Sequence, residues 1–328
     1  MQKMNKPKYI DRRSFLKRLG IGAAATTTAL VGCDSKNNPV SGNRTTSRED
    51  VPVGKMTYRT NPKSGEKVSL LGYGCMRWPT VPNPAGDGEV IDQEAVNSLV
   101  DYALAHGINY FDTAPPYCRG LSEKATGTAL KRHPRDSYYI ATKMSNHRLV
   151  DKGLSPKELY DASLEMYRNS FRDLQTDYID YYLMHIVGMG EGLPTLMERF
   201  FDNNLMDFLL KEREAGRIRN LGFSYHGDVK AFDFLLSRHD EFHWDFVQIQ
   251  LNYVDYRHAS GINYNADYLY SELDKRNIPV VVMEPLLGGR LAGLSDYLNT
   301  RLKQRRPDDS IASWAFRFAG SFPRVLTV

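Results

Sequence analysis

Cysteine is scarce, and long apolar runs are missing. The three cysteines among 328 residues, Cys33, Cys75 and Cys118, form no CxxC and no cluster, so no iron–sulfur or cysteine-based metal site can be built from them alone. The clustered His and carboxylate ligands of metal-assisted hydrolysis are also missing, and no metal is expected. No GxGxxG turn follows the first strand candidate, which argues against an open doubly wound dinucleotide-binding sheet. Excess charge of one sign is confined to the start of the chain. The formal net charge is +4, but residues 1–32 hold Lys3, Lys6, Lys8, Arg12, Arg13, Lys17 and Arg18 against Asp11 alone. Without that segment the balance falls to about −2, and nucleic acid is not an expected partner.

The composition, 41% apolar and 25% charged, is that of a globular chain able to bury a sizeable core. Its start reads differently. "DRRSFLKR" precedes "LGIGAAATTTALVG", a run diluted by Gly and Thr that is too short to span a bilayer. The order of charge, apolar run and small residues resembles a twin-arginine export signal over residues 1–33. "LVGC" places Cys33 as in a lipobox, where the new N-terminal cysteine receives lipid. Residues 34–54, polar and without apolar period, read as a flexible tether. The expectation is an exported lipoprotein on the periplasmic or cell-surface side, touching the membrane through its lipid anchor only.

From residue 55 onward one unit repeats. Strand candidates are "VSLLGYG", "INYFDTA", "YYIATKM", "DYIDYYLMH", "IRNLGFS", "FVQIQLN", "IPVVVME" and "RVLTV". Between them lie stretches with the apolar 3.6-residue spacing of helices, including "DQEAVNSLVDYALAHG" and "SPKELYDASLEMYRNSFRDL". Gly107, Gly216 and Asn277 stand where such helices should stop. Eight strands in unbroken alternation predict an α/β fold of the (β/α)8 TIM-barrel type over residues 55–328. "MTYRTNPKSGEKVSL" ahead of them predicts a β-hairpin that could plug the barrel floor. Val328 ends the sequence within or just after the eighth strand, so the barrel reads as cut short there.

In such a barrel the C-terminal strand ends carry the chemistry. Asp112 ends the second strand, Tyr117 lies in the loop after it, Lys143 ends the third in "IATK" and His185 ends the fourth in "YLMH". The types make sense together. An ammonium beside a phenol favours the phenolate, a carboxylate keeps the ammonium charged, and an imidazole can orient a carbonyl oxygen. The expectation is therefore a Tyr117 whose acidity Lys143 strengthens. Met76 and Trp78, in the loop after the first strand, are candidates for an apolar pocket wall; an ordinary exposed loop tryptophan is the other reading of Trp78.

"INYFDTAPPYCRGLSE", "YIATK", "DYIDYYLMH" and "GRIRNLGFSYH" together resemble the aldo-keto reductases, over about residue 56 to the end. The resemblance implies a tetrad of Asp112, Tyr117, Lys143 and His185 and hydride transfer between NADPH, or NADH, and a small aldehyde or ketone, with Tyr117 as general acid. It implies cofactor contacts from Ser224 and Gln248 to the carboxamide and from Met283 to the ring face. Pro285, Leu286 and Gly288 would lie along the pyrophosphate or simply form a Pro and Gly turn. The chain departs from the family in having Tyr225 where an Asn is usual. "GFSYHG" and "MEPLLGG" resemble an exported branch, without its C-terminal cysteine-rich iron–sulfur tail or the family's final cofactor segment. A carbohydrate-binding or otherwise non-catalytic surface lipoprotein on the same barrel is the competing reading. Oligomeric state is not legible in the sequence.

Overall fold

The computed structural model describes residues 53–328. The expected export signal, Cys33 and nearly all of the tether lie outside the described residues. The anticipated hairpin is present as β1 (Tyr58–Thr60) and β2 (Lys67–Ser69), paired antiparallel with Arg59 opposite Val68. Its turn is closed by backbone bonds between Asn61 and both Glu66 and Gly65, the glycine at φ +75°. Arg59 donates to the carbonyl oxygens of Gly320 and Phe322, both at 2.5 Å, and so ties the hairpin to the segment entering the last strand.

Eight strands then form one parallel sheet: β3 (Tyr73–Gly74), β6 (Tyr110–Asp112), β7 (Tyr139–Met144), β8 (Ile179–Val187), β9 (Ile218–Tyr225), β10 (Phe246–Gln250), β11 (Val280–Met283) and β12 (Val325–Thr327). They neighbour one another in chain order, as successive βα units require. The sheet closes on itself. Gly72 N–H donates to Val328 O and Val328 N–H to Leu70 O, each at 2.9 Å. The first strand is shorter than "VSLLGYG" suggests, because Val68 and Ser69 belong to the hairpin instead.

Helices cover the outer face because their apolar positions recur every three or four residues. In Pro156–Leu174 the buried positions are Leu159, Ser163, Tyr167, Ser170 and Leu174, and Ser155 with Glu158 makes a reciprocal cap at its start. Gly107, Gly216 and Asn277 all take positive φ just past helix ends, which is what their sequence positions require. The loop after β3 is more structured than expected. It carries a second hairpin, β4 (Thr80–Pro82) with β5 (Glu89–Ile91), before helix Gln93–Ala105 begins.

Inside the barrel lies a small apolar layer of Tyr110, Ala141, Tyr181, Leu183, Phe246, Val281 and Leu326, with Val68 of the hairpin buried among them. This layer fixes the site above it. Side chains alternate across a strand, so two residues beyond an inward position the chain faces inward again. Tyr110 therefore selects Asp112, Ala141 selects Lys143, Leu183 selects His185, Phe246 selects Gln248, and Val281 selects Met283.

Candidate active site

Those inward positions converge on a cavity of about 770 Å³ at the C-terminal strand ends, lined among others by Asp112, Tyr117, His185, Gln248, Met283 and Pro285. Its size is that of small-molecule and cofactor sites. Lys143, almost wholly buried, donates to Asp112 Oδ1 at 2.5 Å and to Thr113 O at 2.7 Å. The other oxygen of Asp112 accepts from Gln248 Nε2 at 3.1 Å, so the carboxylate is held on both sides. Lys143 Nζ stands 4.8 Å from the centre of the Tyr117 ring, and that ring meets His185 edge-on with 6.1 Å between centroids. All four tetrad candidates thus meet at one cavity.

Local backbone explains how Tyr117 reaches it. Tyr117 N–H closes a turn onto Ala114 O, and the next two residues, Cys118 and Arg119, adopt left-handed conformations at φ +49° and +56°. Such conformations cost non-glycine residues roughly 1 kcal/mol or more each. The turn is held by its surroundings: Cys118 Sγ accepts from Trp78 N–H at 3.4 Å, and Ser122 Oγ donates to Cys75 O at 2.7 Å.

His185 is fixed from behind. Its Nδ1 shares a 2.6 Å hydrogen bond with Ser145 Oγ, and its carbonyl oxygen accepts from the buried Arg199 guanidinium at 2.6 Å. Arg199 also donates to Ile186 O and Asn146 Oδ1, so hydrogen bonds rather than a carboxylate satisfy this cation. Its burial brings its pKa down to about 9. Neither Ser145 nor Arg199 is signalled by the sequence, since a serine two residues past a strand-end lysine and an arginine in a helical stretch look ordinary.

Electrostatics corrects one expectation. Burial raises the pKa of Tyr117 above the ordinary phenol value, outweighing the opposing pull of the Lys143 ammonium. The reason is the 2.5 Å contact with Asp112, which returns a negative charge and cancels much of the lysine field. Lys143 itself is raised, because Asp112 and Tyr117 together overcome its desolvation. Burial, with Lys143 and neighbouring imidazoles adding to it, drives His185 well below the usual histidine range. At neutral pH the site presents a protonated phenol, a charged lysine and a neutral imidazole.

The remaining candidates divide. Met76 lines the cavity, but Trp78 does not: it is buried in the core, with Nε1 donating to Thr126 Oγ1 at 3.0 Å and its ring stacked on Tyr73 at 5.3 Å. Neither reading of Trp78 made from the sequence describes that place. Ser224 is fully buried behind the lining, its Oγ accepting from Ile186 N–H at 3.1 Å. Met283 and Pro285 face the cavity, whereas Leu286 and Gly288 do not line it. They belong to a turn in which Gly288 N–H donates to the Glu284 carboxylate. Tyr225 is buried, and its hydroxyl donates to Gly227 O. His147 and His226, absent from the expected site, line the cavity on either side of His185. Among the described residues, no group of three or more His, Cys, Asp or Glu is arranged to hold a metal ion.

The profile of the aldo/keto reductase family matches residues 70–323. "Protein tas" of Escherichia coli is 30% identical over 206 residues, 56% of this chain and 57% of that protein, so the chain spans little more than half of this curated relative. "L-galactose dehydrogenase" of Arabidopsis thaliana is 30% identical over 246 residues, 72% of this chain and 67% of its own. Among solved structures, the holo form of aldo-keto reductase AKR11C1 from Bacillus halodurans superposes with a TM-score of 0.61 at 26% identity, covering 83% of this chain and 85% of that one.

Proposed function

The chain belongs to the aldo/keto reductase family, and from that premise we propose that it is an NAD(P)H-dependent oxidoreductase that reduces an aldehyde or ketone, or oxidises the corresponding alcohol. One observation carries the reading: the Asp112–Lys143 ion pair lies beneath the Tyr117 ring, with His185 beside it, at the wall of one cavity. That arrangement serves protonation of a carbonyl oxygen. Tyr117, kept protonated by burial, gives its proton to the oxygen and recovers one from solvent. Lys143 stabilises the phenolate left behind, and Asp112 keeps the lysine charged and aimed. His185, neutral and locked by Ser145, orients the oxygen without competing as an acid.

The residues fit a nicotinamide. Gln248 and Met283 occupy adjacent inward positions at the cavity wall, one polar and one a thioether able to cover a ring face, and Pro285 follows them. When bound, the reduced nicotinamide supplies the hydride that goes to the carbonyl carbon and is itself oxidised, so hydride and tyrosine proton together make the alcohol. NADPH is the proposed cofactor and NADH the second choice. In the alcohol-oxidising direction the same phenol, as phenolate, would take the hydroxyl proton.

The test uses the purified chain. Tyr117→Phe should lower reduction of a reactive aldehyde by about 10²- to 10⁴-fold, the usual worth of a positioned general acid, while fluorescence titration shows NADPH binding nearly unchanged. Turnover within a few-fold of the parent would defeat the mechanism. Titration with NADPH and then NADH ranks the two cofactors.

We also propose that the chain is exported folded by the twin-arginine route and held at the membrane by lipid on Cys33. The sequence order of Arg12–Arg13, apolar run and Cys33 supports this reading. Cys33→Ala should move the protein from the membrane fraction to the soluble fraction; unchanged fractionation would count against a lipid anchor.

A further inference from the structure

The tetrad employs one of three imidazoles at the cavity. His147 stands on one side of His185 with 5.9 Å between ring centroids, and His226 stands on the other at 6.0 Å. They come from the ends of neighbouring strands, His147 opening a short helix after β7 and His226 directly following β9. Both line the cavity. The Nδ1 atom of each is shut off from solvent and has no hydrogen-bond partner in the protein. An unpaired buried polar atom costs about 1–3 kcal/mol, so two of them facing one cavity mark places that a ligand satisfies.

The chemistry of that ligand follows from charge. Burial, together with Arg199 and neighbouring cations, brings both His147 and His226 down to about 4, so neither carries charge at neutral pH. A neutral imidazole offers one donor and one acceptor, and a hydroxyl group offers the same pair in return. A carboxylate or phosphate would find less here. The charged groups of the lining are Asp112, Glu284 and Arg148, two carboxylates against one guanidinium. Across the cavity, Met76, Val282 and Phe316 supply an apolar surface suited to the C–H face of a carbon chain.

Resting on the reductase reading above, we infer that His147 and His226 are specificity residues that hydrogen-bond hydroxyl groups flanking the reacting carbonyl, so that the preferred substrate is a polyhydroxylated carbonyl compound of the sugar class. His185 holds the carbonyl oxygen between them. A hydroxylated substrate pairs both nitrogens, and an unsubstituted one leaves them stranded, which is the asymmetry that gives a polar site its selectivity.

The experiment compares two aldehydes of equal chain length, glyceraldehyde and propanal, with NADPH and the purified full chain. The parent should favour glyceraldehyde by at least about tenfold in kcat/KM, and His147→Phe and His226→Phe should each lower that ratio about tenfold. His→Gln variants, which keep a donor and an acceptor, should recover most of it. His→Ala variants replace any Phe variant whose circular dichroism shows that it does not fold. A second arm needs no turnover: saturation-transfer NMR with erythritol should show binding that the Phe or Ala variants lose. A parent ratio of one or less, or a ratio indifferent to all the variants, overturns the inference. If neither aldehyde is reduced, the erythritol arm decides. Histidine-dependent erythritol binding then upholds the subsite while the reductase reading falls, and absent or histidine-independent binding overturns the subsite.

Discussion

A phenol beside an ammonium has two opposing claims on its proton, and at Tyr117 burial is the stronger. The ammonium is not free to act alone, since Asp112 sits 2.5 Å from it and Gln248 holds Asp112 in turn. The consequence is a proton store rather than a poised phenolate, suited to the reductive direction at neutral pH. The residue types alone do suggest an acid, a phenol and an amine acting together. They do not show which influence dominates, because that depends on how completely the carboxylate screens the lysine. His147 and His226 escaped notice for a similar reason. A lone histidine has no pattern, and only closure of the barrel brings the ends of β7, β8 and β9 side by side.

Between elements, a short helix pressed against another helix's backbone makes a sharper demand on sequence than periodicity reveals. Gly127 lies within helix Ser122–Leu130, where alanine would ordinarily be preferred by about 1 kcal/mol. A Cβ placed there would sit 2.5 Å from Asp173 O and 2.6 Å from Leu174 Cα, at the end of helix Pro156–Leu174. Backbone cannot step aside as a side-chain tip can, so the clash outweighs the propensity gain. Gly127→Ala should therefore destabilise the protein by about 1–3 kcal/mol, seen as a lower thermal midpoint; a raised midpoint would show that the two helices do not approach this closely. The same scale shows what was legible. Long amphipathic helices and β-branched strands announce themselves through period and caps, and the hairpin through "NPKSG". The β4–β5 hairpin did not, because its strands are three residues each and its turn, "NPAGDG", reads as plain loop. Trp78 was misplaced with it: the same loop folds its indole into the core beside Thr126.

For the whole molecule, the buried titratable groups combine into one dependence on pH. His147 and His226 titrate near 4 and His185 well below the ordinary 6.5, so between about 6.5 and 4.5 the unfolded chain takes up three protons that the folded chain refuses. His239, also lowered by burial, adds to this. Glu123 works the other way. Buried and bonded to Thr142, it is raised to about 7 and binds its proton in the folded state first, and the raised Asp180 joins it only at lower pH. Three imidazoles against one carboxyl leave a net excess of protons on the unfolded chain. Stability present above pH 6.5 is therefore lost as pH falls toward 4.5, by at most about 1.4 kcal/mol per pH unit for each net proton, and by less where His147 meets solvent. Thermal midpoints at pH 7.5, 6.5, 5.5 and 4.5 should decline in that order, and His226→Asn should flatten the decline. A midpoint that holds or rises between 6.5 and 4.5 would mean that these imidazoles are not held neutral in the folded chain. The three rings at the cavity thus join fold and site: the barrel that aligns β7, β8 and β9 keeps them uncharged, and this neutrality favours hydroxyl groups over anions as their partners.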